Sequence, residues 1–570
     1  MAVLGLGGSD HDFSAAIIDD GSILVAVEDE RLQRVKQAET GWHARPAHDA
    51  TEYCLEAAGL KLDELDGIFC CDDLERPSRW LDWSQVTFVN HHAAHAAASF
   101  FTSDYEASAL LVIDGHGSPV GETDSGYEVE TISVGSARDR SLDLYPLQTG
   151  EQKKTSSCWR YVAQNSIGWF YGIITIALGF GETGQGKTMG LAAYGTPARL
   201  DELAQFIHIG SQGEFQFDPY GGIWDWLTTV LAEQPSAMRV RADIAWAAQQ
   251  ILGDAVVAAA NEAHRRAPSN ALSFGGGCAL NTLANTRILE ETPFTELSIF
   301  PAAADNGLSV GAAFYGAHVL LGQPRRRATV GWRGRVVFTG RDYTDQEIDT
   351  VLSGAPVTAS CPADLPSAVA RILIDGDVVA VCRGRSEMGP RALGNRSLLA
   401  LPCTTQIRDH INVNIKERES FRPLAPVVPL AHAHAFFTGV EESPYMLLVA
   451  DVRESARAQL AAVTHVDGTA RLQTVRPEDN PFLHHLLEVI GRLTGVPVLL
   501  NTSLNLRGEP IVETPSDAMS LFVRRPIGAL VLGDRLVRKY SPWADPSLLA
   551  AAQPAVAQGH FGTPSSEARS

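Results

Sequence analysis

Three features are scarce in this sequence: spaced cysteine pairs, long apolar runs and positive charge. The eight cysteines are scattered and none forms a C-x-x-C pair, which argues against a disulfide framework and against a thiolate zinc site. No apolar run is long enough to span a bilayer, and the start MAVLGLGGSDHDFSAA lacks the basic region and apolar stretch of a signal peptide. We therefore expect a soluble, cytoplasmic protein.

The deficit of positive charge narrows the choice of partners. Lysine and arginine number 46 against 67 aspartates and glutamates, so the formal net charge is −21. A surface this acidic repels phosphate backbones and anionic lipid, so we expect neither nucleic acid nor a membrane as the main partner. With 570 residues the chain is also too long for one ordinary core, which predicts at least two domains.

Two stretches share the order strand, glycine-containing acidic turn, returning strand. The first is FSAAIIDDGSILVAVEDE, in which Asp20-Gly21 is a strong hairpin signal. A weaker echo at 109–135 runs from ALLVIDGHGSP to GYEVETISVG. Such duplication predicts a paired α/β lobe, by analogy with actin-like and sugar-kinase-type ATPases, which clamp a nucleotide between two lobes.

Periodicity predicts helices at 46–65, 84–102 and 240–265, because apolar residues recur there at spacings of three and four. A basic, turn-rich stretch at 322–345 marks a boundary between domains. We therefore predict a first domain at 1–342, a second α/β domain at 343–545 and a flexible tail at 546–570.

The stretch NHHAAHAAAS places His91 and His95 one helical turn apart, the spacing at which two imidazoles share a metal ion. A helix with surface histidines is the alternative, and the role of His92 is open. Asp114 and Asp305 each follow an apolar run and precede Gly or Asn-Gly, so we expect both at strand ends, where α/β sites gather. Two imidazoles with one or two carboxylates suit iron, manganese or zinc.

Two glycine-rich loops are candidate phosphate sites. FGGGCALN, at 274–281, contains Gly275, Gly276 and Gly277 between a predicted strand and a helix, where backbone N–H groups approach a phosphate or simply form a tight turn. The loop ending at Lys187 matches the Walker A spacing literally, but no Walker B partner follows, so we interpret it as a substrate-covering loop with Lys187 near phosphate. His11, in the first glycine-rich turn, is either part of that turn or a general base.

The segment 383–422 concentrates positive charge in an acidic protein. Its basic side chains are Arg383, Arg385, Arg391, Arg396, Arg408, Lys416, Arg418 and Arg422. Only four acids accompany them, and arginine binds phosphate through a planar fork, so a small phosphorylated substrate is indicated. Further polar residues follow the apolar run VPVLL, namely Asn501, Ser503 and Arg507.

Taken together these motifs resemble the NodU and CmcH family of O-carbamoyltransferases, from antibiotic and nodulation-factor biosynthesis. The matching stretches, between residues 2 and 540, are HDFSAA, EDERLQRVK, NHHAAHAAASFF, VIDGHG, GKTMGLAAYG, FGGGCALN, AADNGLSVGAA, EMGPRALGNRSLLA, IRDHINVNIKERESFRPLAP and LNTSLNLRGEPIV. The familiar EER motif is Asp29-Glu30-Arg31 here.

The resemblance implies a duplicated actin-like, Kae1-like domain followed by a YrdC-like α/β domain. It implies an enzyme that forms carbamoyl adenylate from carbamoyl phosphate and ATP with Mg, and transfers the carbamoyl group to a hydroxyl of a small-molecule natural product. It also implies Fe(II) or another divalent metal, and relatives are often homodimers. The identity of the acceptor stays open.

Site residues also follow from the resemblance. His91, His95 and Asp305 would bind the metal, with Asp114 as a direct or water-mediated fourth ligand, and His11 would deprotonate the acceptor. Gly275, Gly276, Gly277 and Asn281 would hold the nucleotide and Lys187 its phosphate. Carbamoyl phosphate would be bound by Arg383, Arg391, Arg396, Lys416, Arg418, Arg422, Asn501, Ser503 and Arg507, with Lys416 and Arg418 preferred.

Two other functions remain as alternatives. The implied domains also suit a tRNA threonylcarbamoylation enzyme, although a net charge of −21 disfavours tRNA binding. A nucleotide-binding scaffold without transfer activity is the other. A tRNA binding assay would separate the first alternative from the O-carbamoyltransferase hypothesis. The effect of His11→Asn on transfer would separate the second.

Overall fold

A computed structural model describes residues 1–9, 12–38, 48–72, 82–124, 126–153, 162–233, 238–326 and 330–539. The predicted tail at 546–570 and the predicted base His11 therefore lie outside the described residues. Within the described ranges, no helix combines the length and hydropathy that a membrane span requires.

The first domain begins with a five-stranded sheet in the order β3-β2-β1-β4-β5. Its strands are β1 (Ala2–Gly7), β2 (Ser14–Asp19), β3 (Ser22–Glu28), β4 (Gly67–Cys71) and β5 (Val86–Val89). The helices are α1 (Asp29–Gln33), α2 (His48–Ala58) and α3 (His91–Phe101). The hairpin predicted at Asp20-Gly21 is present, with both residues at positive φ as its tight turn requires.

A second sheet repeats this topology. Its strands are β6 (Ala107–Ile113), β7 (Pro119–Glu122), β8 (Gly126–Arg138), β9 (Ser141–Lys153), β12 (Ala271–Gly275) and β13 (Glu296–Ser298); a separate hairpin is formed by β10 (Ile207–Ile209) and β11 (Phe215–Phe217). In both sheets three successive strands pair antiparallel, starting with β1 in one sheet and β6 in the other. Two parallel strands continue the sheet on the other side of that first strand. This duplication confirms the predicted paired lobe of the actin-like class.

Helices cover both sheets. They are α4 (Ile167–Ala177), α5 (Gln185–Ala192), α6 (Leu200–Ala204), α7 (Ile223–Glu233), α8 (Met238–Arg266), α9 (Thr282–Glu291), α10 (Leu308–Phe314) and α11 (Trp332–Val337). The long helix predicted at 240–265 is α8. One apolar core between the sheets contains α3 and α10, so the histidine helix lies at the centre of the domain rather than at its surface.

The second domain is built on a ten-stranded sheet, ordered β14-β23-β22-β15-β16-β21-β17-β20-β19-β18. The strands are β14 (Val357–Ser360), β15 (Val379–Cys382), β16 (Arg396–Ala400), β17 (Ala425–Pro429), β18 (Phe437–Thr438), β19 (Leu448–Val452), β20 (Thr469–Val475), β21 (Leu499–Ser503), β22 (Ala529–Leu532) and β23 (Arg535–Lys539). The helices are α12 (Asp345–Ser353), α13 (Leu365–Ile374), α14 (Thr405–Asp409), α15 (Leu430–Phe436), α16 (Pro481–Thr494) and α17 (Pro515–Arg524). Apolar cores on its two faces complete the α/β architecture that the sequence predicted.

Two local predictions are wrong. The helix predicted at 84–102 starts only at His91, because Val86–Val89 is a strand that pairs in parallel with β4. Asp305 does not directly follow a strand; it opens a 3₁₀ turn before α10, seven residues beyond the end of β13.

Candidate functional site

The histidine helix is capped so that its first turn is fixed. The side chain of Asn90 accepts a hydrogen bond from the N–H of Ala93 at 2.8 Å, and the Ser118 hydroxyl accepts one from the N–H of His91 at 2.8 Å. Alanines follow, which favour the helix and let neighbouring elements approach closely. His91 and His95 consequently lie on one face, and both are buried.

Four predicted ligands converge at this face. Nε2 of His91 and Nε2 of His95 are 3.1 Å apart, and Asp114 Oδ2 lies 2.8 Å from His95 Nε2 and 3.4 Å from His91 Nε2. Asp305 Oδ1 is 3.7 Å from each ring nitrogen. All four donor atoms lie within 4.8 Å of one another, so they fit a single divalent cation.

Contacts around these four residues orient them. Cys71 Sγ lies 3.7 Å from His91 Nδ1, and the N–H of Gly115 donates to Asp114 Oδ1 at 2.7 Å. Burial by itself raises the pKa of Asp114, but hydrogen bonds from the two imidazoles outweigh burial and hold that pKa well below its usual range. The carboxylate therefore stays ionised and available to a cation.

His92 points away from the cluster. Its Nδ1 lies 2.7 Å from the Ser133 hydroxyl and 3.9 Å from Glu130 Oε2. Burial, followed by the nearby histidines, holds the pKa of His92 well below its ordinary value, so it is neutral. It supports the packing under α3 and does not join the other two histidines.

The glycine turn packs directly against the cluster. Gly276 has φ +89°, and a Cβ there would stand 2.3 Å from the carbonyl oxygen of Ile113; at Gly277 it would stand 3.1 Å from Asp114 Oδ1, and at Gly275 2.8 Å from the carbonyl oxygen of His95. The side chain of Asn281 is already engaged, capping α9 and exchanging two hydrogen bonds with Gln249. The side chain of Asn281 is therefore not free to bind a nucleotide, and Gly275 and Gly276 are themselves buried.

The second domain contains a group of desolvated arginines, Arg391, Arg418 and Arg471. Burial is the largest cause that lowers the pKa of each, and the charges of Arg391 and Arg418 lower that of Arg471 further. In the part of the chain that the structure describes, none of the three forms an ion pair with a carboxylate. The three side chains are half-buried, and desolvated cations without counter-ions are costly, so this group has the character of an anion site that solvent can still reach.

Lys416 extends this anion site. Its ammonium donates to the Ser503 hydroxyl at 3.1 Å and to Asn505 Oδ1 at 2.8 Å. Burial, and then the charges of Arg418 and Arg422, hold its pKa well below the ordinary value. Asn501 is buried nearby on β21, donating to Gln473 Oε1 at 2.7 Å.

A basic cluster lies where the two domains meet. Burial lowers the pKa of Lys187, and the nearby charges of Arg422, Arg507 and Lys36 lower it further. Lys187 belongs to α5 of the first domain, whereas Arg422 and Arg507 belong to the second. Glu419, 3.0 Å from Arg422 Nε, partly balances this charge.

Two predicted members of the anion site have other contacts. Arg383 lies at the surface, paired with Asp534 at 2.8 Å. Arg396 is fully buried and donates to backbone carbonyl groups of Glu513 at 3.0 Å and Gly384 at 2.9 Å. We therefore leave both out of the proposed site, because their guanidinium groups already serve the fold.

Sequence reasoning missed Arg471 and Lys36. Arg471 lies on β20 in an alternating stretch, TARLQTV, in which a polar residue is expected to face solvent. No local signal distinguishes it. Lys36 lies inside the motif EDERLQRVK, and that motif was the signal that could have found it.

Fold and site together define a two-domain α/β protein with a candidate metal centre in one domain and an anion pocket in the other. The family model described as "Carbamoyltransferase N-terminus" matches residues 2–81 and 72–314, and "Carbamoyltransferase C-terminus" matches residues 370–539. The chain belongs to the carbamoyltransferase family, and it is an enzyme of that class.

Similar proteins with names are consistent with this family assignment. The nodulation protein NolNO of Sinorhizobium fredii is 33% identical over 93% of this chain and 79% of its own length. The 3′-hydroxymethylcephem-O-carbamoyltransferase of Amycolatopsis lactamdurans is 39% identical over 46% of this chain and 48% of its own. Full-length HypF in its phosphate- and nucleotide-bound form is a remote structural likeness, with 13% identity, a TM-score of 0.37, and coverage of 56% of this chain and 55% of HypF.

Proposed function

We propose that this enzyme is an ATP-dependent O-carbamoyltransferase. It would use carbamoyl phosphate to form carbamoyl adenylate and would then transfer the carbamoyl group to a hydroxyl of a small-molecule natural product. The observation that carries this proposal is the anion site formed by Arg391, Arg418 and Arg471, whose half-buried, desolvated charges lack a carboxylate partner among the described residues. Carbamoyl phosphate, a small dianion, suits those charges and the adjoining Lys416.

Activation would take two steps. Water hydrolyses carbamoyl phosphate: its bond to the phosphate group breaks, and carbamate and inorganic phosphate form. A carbamate oxygen then attacks the α-phosphorus of ATP, a new P–O bond forms, the bond to the β-phosphate breaks, and pyrophosphate leaves. Arginines and Lys187 of the basic cluster would counter the charge of the phosphates during this exchange.

Transfer is assigned to the first domain. The acceptor hydroxyl attacks the carbamoyl carbon, the bond to AMP breaks, and a base takes the hydroxyl proton; His11 remains the proposed base. His91, His95, Asp114 and Asp305 would hold a divalent cation, which supplies Lewis-acid stabilisation of negative charge. Fe(II) remains our expectation for this ion. Backbone N–H groups of the glycine turn at 275–277 would bind the adenylate phosphate beside it.

Pyrophosphate release before any acceptor is added provides the test. Purified protein with ATP, Mg²⁺ and Fe(II) should release pyrophosphate only when carbamoyl phosphate is present. Arg418→Gln should reduce the rate by 10-fold or more, on the order expected for a lost charge-assisted hydrogen bond. Arg383→Gln, which removes a surface arginine outside the site, is the matched control. Absence of carbamoyl-phosphate-dependent release in the wild type would refute the proposal.

A further inference from the structure

One loop of the second domain is anchored inside the first. Met388 is 1% exposed and packs in the apolar core between the two sheets, together with Ala302 and Leu308. Gly389 follows at φ +101°, where a Cβ would stand 2.7 Å from the carbonyl oxygen of Pro301. The loop from Glu387 to Asn395, hereafter the anchor loop, also carries Arg391 of the anion site.

Glu28 and Arg31 clamp this anchor loop. Both side chains are buried, and Arg31 Nε lies 2.5 Å from Glu28 Oε2. Arg31 donates to the carbonyl oxygen of Gly389 at 2.6 Å, and the N–H of Gly389 donates to Glu28 Oε1 at 2.7 Å. Both backbone groups of Gly389, two residues before Arg391, are therefore held by the first domain.

The same carboxylate oxygen also binds the residue next to a predicted metal ligand. Asn306 Nδ2 donates to Glu28 Oε1 at 2.9 Å, and Asn306 directly follows the predicted ligand Asp305. Oε1 of Glu28 thus accepts one hydrogen bond from the backbone of Gly389, two residues before Arg391. It accepts another from Asn306, the residue after the predicted ligand Asp305. A displacement of either partner changes the hydrogen bond made by the other.

Other contacts already join the two domains. Arg385 donates to the carbonyl oxygen of Leu24, and Arg34 donates to that of Ile511 at 2.7 Å. Neither contact involves the turn at Asp305. Adhesion between the domains consequently does not require a buried charge at Glu28, whose position between the two sites calls for a different role.

We propose that Glu28 and Asn306 are positioning residues that couple the two sites, with Arg31 orienting Glu28. Occupancy of the anion site fixes the anchor loop, and Glu28 transmits that position through Asn306 to Asp305, so metal affinity depends on bound anion. This inference rests on the proposed metal and anion sites. By linkage, the metal changes anion affinity by the same factor.

Co(II) titration of the full-length wild-type protein, with and without saturating carbamoyl phosphate, measures the coupling. We expect the apparent Kd for Co(II), read from its visible absorption, to differ by about five-fold or more between the two conditions. Asn306→Ala removes one link and leaves Glu28, Arg31 and Gly389 in place. In this variant the ratio of the two Kd values should fall toward one, whatever happens to each Kd separately.

Two further variants sharpen the result. Glu28→Gln removes the charge from both hydrogen bonds and should also lower the ratio. Glu262→Gln is the matched control, because Glu262 is another buried glutamate paired with arginine, at the end of α8. It should retain the wild-type ratio, and a melting curve should confirm that every variant is folded.

The outcomes separate the two proposals. Wild-type protein that binds no Co(II) would overturn the proposed metal centre and the coupling with it. Independent binding of Co(II) and carbamoyl phosphate would leave both sites standing and overturn the coupling alone. An Asn306→Ala variant that keeps the wild-type ratio would overturn the route through Asn306.

Discussion

At the scale of single residues, the four predicted metal ligands were reachable from sequence because their signals are local. His91 and His95 share a helical face by spacing alone. Asp114 directly follows an apolar strand, and the structure brings all these donors to the cluster. Arg471 could not be found in this way, because its partners Arg391 and Arg418 come from segments far away in sequence, and only the folded sheet makes it a desolvated cation.

Loss of one imidazole should empty the metal centre. His95→Asn removes the nitrogen that lies 2.8 Å from Asp114 Oδ2 and 3.1 Å from His91 Nε2. We expect bound divalent metal, measured by elemental analysis of Fe(II)-reconstituted protein, to fall from about one equivalent to near zero. The exposed His208, substituted as His208→Asn, should retain wild-type metal content. Full occupancy in His95→Asn would contradict the assignment.

Substitution of Arg471 should stabilise the ligand-free protein and weaken its binding of carbamoyl phosphate. Removing an unpaired, desolvated cation relieves burial cost and repulsion from its neighbours, so Arg471→Met should raise the free energy of unfolding of the ligand-free protein by about 1 kcal/mol or more. The same variant should bind carbamoyl phosphate at least 10-fold more weakly. Chemical denaturation and calorimetric titration measure the two effects. Unchanged affinity would remove Arg471 from the anion site.

The depressed pKa of Lys416 predicts proton uptake on binding. Because burial lowers this pKa in the fold, the folded protein holds fewer protons than the unfolded chain between the two pKa values, and the stability of the ligand-free protein rises with pH there. A bound dianion favours the charged ammonium and raises the pKa again. Calorimetry at mildly alkaline pH, in buffers of different ionisation enthalpy, should show proton uptake that decreases in Lys416→Met. Equal proton uptake in both proteins would show that a group other than Lys416 takes up the proton.

At the scale of elements, predictions succeeded where one element carries its own pattern. The Asp20-Gly21 hairpin and the helix α8 are encoded in contiguous residues. Val86–Val89 was misread because four residues are too few to separate strand from helix periodicity, and its parallel pairing with β4 decides the outcome. Asp305 was misplaced for a similar reason: an apolar run before a carboxylate does not reveal that a turn intervenes.

A π-helical turn from His410 to Ile415 positions the anion arginines. Its buried Asn412 accepts from Arg418 Nε at 2.9 Å and donates to the carbonyl oxygen of Arg422 at 3.0 Å. Asn412→Ala should raise the KM for carbamoyl phosphate by roughly 10-fold with a smaller change in kcat, because both arginines lose their support. The exposed Asn414→Ala, on the same turn, should be close to wild type. A change confined to kcat would argue against this positioning role.

At the scale of the whole molecule, the sequence predicted two domains but not how they are joined. The motif EMGPRALGNRS was interpreted entirely as part of a phosphate site, because arginines dominate its chemistry. The structure shows that its Met388 serves the core of the other domain. Single-sequence reasoning finds no signal for this, because a methionine in a loop is compatible with burial against its own domain or any neighbour.

The anchored Met388 predicts that the two domains unfold as one unit. Its side chain fills space between the two sheets of the first domain, so Met388→Ala should cost about 2–5 kcal/mol through lost burial and the cavity left behind. Wild-type protein should show a single calorimetric transition, and the variant should show a lower, broadened or divided one as the domains separate. Met238→Ala, at a methionine that is 57% exposed, should leave the transition unchanged. Because the anchor loop also carries Arg391, Met388→Ala should weaken carbamoyl phosphate binding even at temperatures well below the melting temperature of the variant. A purely structural methionine would leave that affinity intact.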